Sequence, residues 1–68
     1  MKNLKDKDIR VGRIVRVISG QGGDFIDKIE KVCHFKLMIY TKNSYTSWHP
    51  TQLFYPTDKQ KSKYRRNG

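Results

Sequence analysis

Residues 11–32 read VGRIVRVISGQGGDFIDKIEKV, a run of strand, glycine loop and strand that decides the fold class of the whole chain. Arg13-Ile14-Val15-Arg16-Val17-Ile18 is rich in β-branched residues. Val11, Val15 and Val17 fall on one side of an extended backbone, with Arg10, Ile14, Arg16 and Ile18 on the other. Odd positions, Arg13 apart, are therefore expected to face a core. Gly20, Gly22 and Gly23 permit positive φ and weaken any strand, so Ser19–Asp24 is expected to be a loop. No Gly-Lys-Ser/Thr follows these glycines and no helix start adjoins them, which speaks against a phosphate-binding loop. From Phe25 to Val32 apolar and charged residues alternate again, with one local irregularity, and this predicts a second strand.

Beyond this run, Phe35, Leu37 and Ile39 alternate strictly and predict a third strand, with Lys36, Met38 and Tyr40 on its other face. Thr41-Lys42-Asn43-Ser44 has the composition of a hairpin turn, and Tyr45-Thr46-Ser47-Trp48 predicts a fourth strand. His49-Pro50-Thr51-Gln52 suits one 3-10 turn, after which Leu53-Phe54-Tyr55 makes a short closing strand before Pro56. Residues 1–8 form a polar lead-in in which Leu4 alone can fold back onto the core. Residues 57–68, TDKQKSKYRRNG, hold one aromatic and no aliphatic side chain and are expected to be a flexible, disordered basic tail. The expectation is one all-β domain over residues 9–56 with five strands.

The 68 residues allow a single small core, and the 35% hydrophobic content fits one built around three Phe, four Tyr and one Trp. Fifteen Lys and Arg oppose six Asp and Glu, a net charge of +9. The surplus is shared: seven basic residues face three acidic ones in residues 9–55, and five face one in residues 56–68. Such a field attracts polyanions, nucleic acid above all, and exceeds what solubility of a small domain requires. The sign of the charge argues against an acidic decoy of nucleic acid. The lone Cys33 excludes an internal disulfide and fits a reducing compartment. There is no apolar run of membrane-spanning length, and MKNLKDKD lacks the apolar core of a secretory signal, so a cytoplasmic location is expected.

Short strands in this order, with a one-turn helix before the last, resemble an SH3-like barrel. Pro50 followed by Leu53 and Phe54 is similar to the proline turn and closing strand of that fold. The opening stretch resembles the KOW motif of ribosomal proteins and transcription elongation factors. Val15 and Val17 match its paired apolar positions, Ile18 the apolar residue after them, Gly20 the first loop glycine, and Lys28-Ile29 with Val32 the outgoing strand. Asp24 and Asp27 stand where the motif usually has glycine, Asp27 at the position that most needs a left-handed backbone. The lysines of the family's loop are replaced by Gln21, Gly22 and Gly23. The resemblance implies a five-stranded SH3-like barrel and association with a ribosome or an RNA polymerase.

Catalytic and metal chemistry find little footing. A metal site would need Cys33, His34 and His49 together, and adjacent residues of a strand point to opposite sides. The same geometry opposes a Cys33–His34 nucleophile. Asp24 and Asp27 beside a loop ordinarily satisfy backbone amides or counter Lys28. An enzyme is not expected, nor a cofactor. Basic and aromatic side chains do interleave at Arg10, Arg16, Lys36, Tyr40, Lys42, Tyr45 and Trp48. Arg10, Arg16, Lys36 and Lys42 suit phosphate contacts, and Tyr40 and Tyr45 suit stacking on unpaired bases, with Trp48 assigned to the core. Lys59, Lys61, Lys63, Arg65 and Arg66 could lie along a phosphate backbone and release counterions. The expected function is binding of RNA or DNA with low sequence specificity. The alternative is an accessory or phage-encoded adaptor that binds a larger host complex.

Overall fold

The computed structural model describes residues 2–67, so the first residue of the lead-in and the last of the C-terminal segment lie outside it. Four antiparallel strands, β1 (Ile14–Ile18), β2 (Asp24–Cys33), β3 (Met38–Thr41) and β4 (Leu53–Phe54), form one open sheet in the order β3-β2-β1-β4. A C-terminal helix, α1 (Asp58–Asn67), packs against β2, and 3-10 turns occupy Asp6–Asp8 and Pro50–Gln52. No helix among the described residues is long and apolar enough to cross a membrane.

The opening stretch folds as its pattern predicts, except that Ile14, expected on the face opposite the core, is buried. β1 pairs with β2 from Ile14↔Lys28 to Ile18↔Asp24 around the glycine loop, which Ser19 closes by donating its N–H to the Gly23 carbonyl at 2.7 Å. Val15 and Val17 are fully buried and join Leu4, Ile9, Ile29, Ile39 and Leu53 in one apolar cluster. Phe25, Val32, Trp48 and Tyr55 pack around it, Phe25 meeting Trp48 edge to face at 5.8 Å between centroids. Leu4 does fold back, its N–H donating to the Leu53 carbonyl. Val11 departs from the odd-position rule. It sits in a turn that Gly12 closes with a φ of 93°, the left-handed third residue of a type II turn, and this carries Val11 into solvent.

Three further expectations are corrected. Phe35 and Leu37 are not in a strand. β2 runs to Cys33, which pairs directly with Met38, so His34–Leu37 must reverse the chain, and the alternation that suggested a strand spans a turn and the start of β3. Tyr45–Trp48 contributes only one isolated bridge, Ile39↔Trp48, so the described sheet has four strands rather than five and stays open. The disordered tail is instead helix α1. Thr57 and Gln60 form a reciprocal cap, the Thr57 N–H donating to Gln60 Oε1 at 2.8 Å and the Gln60 N–H to Thr57 Oγ1 at 3.1 Å. Lys, Gln and Arg are all good helix formers, and Asp58 in the first turn with Arg65 and Arg66 in the last complements the helix dipole.

The expected 3-10 turn is present. His49 accepts the Thr51 N–H, and Gln52 Oε1 accepts the His49 N–H. Asp27 does not take a left-handed backbone. It is a regular β2 residue, and among the described residues the left-handed ones are Gly12, Gly22 and the consecutive His34, Phe35 and Lys36, the last three with φ of 51°, 55° and 67°. Each non-glycine residue held there costs roughly 1–2 kcal/mol.

A candidate polyanion-binding cleft

A cleft of about 580 Å³ opens where the turn before β1 meets Tyr55, Pro56 and α1. Arg10 and Arg13 line one wall, and Lys61 and Arg65 the other, with Val11, Gly12 and Ile14 between them. Four cations thus converge from two elements more than 40 residues apart in sequence.

The first wall belongs to the sheet. Arg13 donates its N–H to the Arg10 carbonyl at 3.2 Å, Gly12 its N–H to the Ile29 carbonyl at 2.8 Å, and Ile29 returns one to the Arg13 carbonyl at 2.8 Å. The Arg13 guanidinium lies 3.7 Å from Asp8 Oδ1, and Asp8 Oδ2 accepts the Tyr55 hydroxyl at 2.5 Å. The hydrogen bond from Tyr55, reinforced by the charge of Arg13, holds the Asp8 carboxyl below the usual carboxylate range. Asp8 is therefore a stable counter-charge that fixes Arg13 at the rim.

The second wall is a helix flank. Lys61 and Arg65 are four residues apart and lie side by side on α1, while Gln60 and Tyr64 face the sheet. The anchor is Asp27, fully buried in β2. Its carboxylate accepts the Lys28 N–H at 2.9 Å, the Asn43 N–H at 2.8 Å, Asn43 Nδ2 at 3.0 Å and the Tyr64 hydroxyl at 3.2 Å. One carboxylate thus ties the β3 exit turn and the helix to the same strand. Burial, followed by the charge and hydrogen bond of Asp27, raises the pKa of Tyr64, so its hydroxyl stays a donor through neutral pH. Lys61 Nζ is 3.3 Å from the exposed Asp58. Among the described residues no carboxylate lies within 4.0 Å of Arg10 or Arg65, and both side chains are exposed.

The cleft gathers only part of the set expected from sequence. Arg10, Lys61 and Arg65 line it. Arg16 is instead engaged across the sheet by Asp24, Nε to Oδ1 at 2.8 Å and Nη2 to Oδ2 at 2.6 Å, which lowers the Asp24 pKa and raises that of Arg16. Lys36 bonds the Asp6 carbonyl at 2.9 Å and its carboxylate at 3.1 Å. Tyr40 is half-buried with Lys31 over its ring at 5.8 Å, Lys42 is exposed beyond β3, and Tyr45 is fully exposed in the following loop. Lys63 lines a second hollow of about 350 Å³ with Ile26, Gln60 and Tyr64. Lys59 and Arg66 are exposed elsewhere on α1.

Arg13 was missed because the alternation assigned it to the start of a strand. The signal was Val11-Gly12 directly before it, a turn pair that aims Arg10 and Arg13 together. For the helix the signal was Thr57-x-x-Gln60 after Pro56. A scan against protein-family models, a search of curated proteins and a search of solved structures each found no match for this chain.

Proposed function

We propose that this chain is a small nucleic-acid-binding module that grips the phosphate backbone of RNA or DNA in the cleft between the Arg10–Ile14 turn and α1, with little sequence preference. The observation that carries this reading is the convergence of Arg10, Arg13, Lys61 and Arg65 on one cleft of a chain with a net charge of +9. Guanidinium groups suit phosphate because their planar donors match its oxygens in pairs. The cleft is open and mostly polar in its lining residues, which fits a backbone passing through rather than an enclosed small molecule. Lys59, Lys63 and Arg66 add field strength from the rest of the helix.

The SH3-like reading of the fold belongs to the same proposal. It is supported by β4 returning to pair with β1 after a 3-10 turn and by Trp48 bridging Ile39, the place where a further strand would extend the sheet. A ribosome- or polymerase-associated setting in the cytoplasm follows from the KOW resemblance and the lone Cys33.

Titration of the full chain with a mixed-sequence single strand tests the binding. Four phosphate contacts give a log–log salt slope of about −3, since each contributes about 0.7 on a single strand. No binding at about 50 mM salt would refute the reading. A protein-interaction adaptor is the second reading, favoured by the exposure of Val11, Leu37 and Tyr45. A single stoichiometric partner retained after nuclease treatment of a pull-down, with no oligonucleotide affinity, would select it.

A further inference from the structure

The β2–β3 turn carries a side chain that neither the core nor the turn explains. Phe35 is 100% exposed, so it contributes nothing to the packing of the fold. It also sits at a φ of 55° between His34 and Lys36, which are left-handed as well, in a turn closed by the Leu37 N–H donating to the His34 carbonyl at 3.0 Å. Reversals with left-handed central residues ordinarily use Asn-Gly or Asp-Gly, where such a backbone is least strained. Here the central pair is Phe35-Lys36, and both the solvation and the backbone of Phe35 argue against its presence unless something outside the chain covers it.

The tip is oriented as well as exposed. Lys36 Nζ turns back to Asp6, bonding its carbonyl and carboxylate, so the cation between Phe35 and Leu37 is drawn away from the outer surface. Leu37 is 53% exposed beside Phe35. The same 3-10 turn, Asp6–Asp8, holds Arg13 and Tyr55 of the cleft through Asp8. One short turn therefore ties the aromatic tip to the basic wall.

We infer that Phe35 is a base-contacting side chain, stacking on an unpaired base of a single strand whose phosphates lie in the cleft. This rests on the polyanion reading above and deepens it. The partner is chosen by charge: the tip is tethered to a cluster of cations on a molecule of net charge +9, and a strand held there presents bases as well as phosphates. A flat aromatic face accepts any base, in keeping with low sequence preference.

The test compares a mixed-sequence single-stranded oligonucleotide with heparin, a polyanion that has no bases, as probes of the full chain. Phe35→Gly is expected to weaken the oligonucleotide about 5- to 150-fold, the range of one lost stack, while heparin affinity stays within about twofold. Phe35→Trp is expected to keep oligonucleotide binding, and the thermal midpoint of Phe35→Gly to equal or exceed that of the parent, because glycine relieves the left-handed backbone. Unchanged oligonucleotide affinity in Phe35→Gly, with the parent binding both probes, would overturn this inference and leave the polyanion reading standing. Equal loss on both probes would overturn it in favour of a role in shaping the cleft. Capture of a protein from nuclease-treated lysate by the parent and not by Phe35→Gly, with oligonucleotide affinity unchanged, would overturn it in favour of a protein pocket. A parent that binds neither probe would overturn both readings.

Discussion

The Arg10–Ile14 wall of the cleft is an extension of the apolar core, whereas the α1 wall is attached to that core through polar atoms. On the sheet side, Gly12 and Arg13 are stitched to Ile29 by main-chain hydrogen bonds, and Ile9 and Ile14 on either side of the turn are buried. On the helix side, the residues of α1 are polar or charged except Tyr64, and the side chain that fixes the helix does so by donating to Asp27. A ten-residue helix is marginal by itself in water, so its cap and this anchor decide whether it forms. The sheet wall and the fold therefore stand or fall together, while the helix wall can be lost and leave the fold behind.

The largest expected effect comes from breaking the sheet wall at its root. Leu53 is fully buried, pairs with Val17 and accepts the Leu4 N–H. Leu53→Ala should cost about 3 kcal/mol in urea unfolding, the usual loss for a buried leucine, and should remove sheet, helix and polyanion binding together. In a domain of this size that is a large share of the total stability.

Tyr64→Phe separates the walls. It deletes one hydrogen bond to Asp27 and leaves that carboxylate satisfied by Asn43 and Lys28, so the sheet should persist. The docking of α1 should weaken by about 1 kcal/mol, read as lower helical circular dichroism with unchanged exchange protection in β1 and β2. A loss of sheet protection equal to the loss of helix would break the distinction between the walls.

A smaller effect is expected from pH. The folded-state pKa of Tyr64 is raised, so its contribution is fully present below about pH 10, where an unfolded tyrosine begins to ionise, and is lost as pH rises through the higher folded value. The phenolate then repels Asp27 instead of donating to it. The helix signal of the parent should fall more steeply in that range than that of Tyr64→Phe. Asp8 and Asp24 act in the other direction: their lowered values stabilise the fold above about pH 4, and this is lost as pH falls through them.

The sequence made the inner sheet legible because Val15, Val17 and Ile29 carry a strand's alternation and a glycine cluster marks the reversal between them. It misled at Phe35 and Leu37 because alternation reports only that side chains fall on one side of an extended chain, and a left-handed turn can interrupt that chain without glycine. The tail misled for the opposite reason: composition said that α1 lacks apolar residues to bury, which is true, but the helix docks through Tyr64 and a buried carboxylate and is started by a Thr57–Gln60 cap. Of the candidate site, the positive charge was legible and its geometry was not. Arg16 is engaged because Asp24 lies two residues before its partner Ile26 across the sheet, a fact of register rather than of composition.

In the proposed function the cleft, and not charge in general, holds the polyanion. Arg10→Gln with Arg65→Gln removes one cation from each wall, and Lys59→Gln with Arg66→Gln removes the same charge from the remainder of α1. Salt-dependent titration with one mixed-sequence single strand should show the cleft pair lowering the log–log slope by about 1.4 and the distal pair by less than half of that, since only the former removes fixed phosphate contacts. Equal slopes and equal losses for the two pairs would contradict the account.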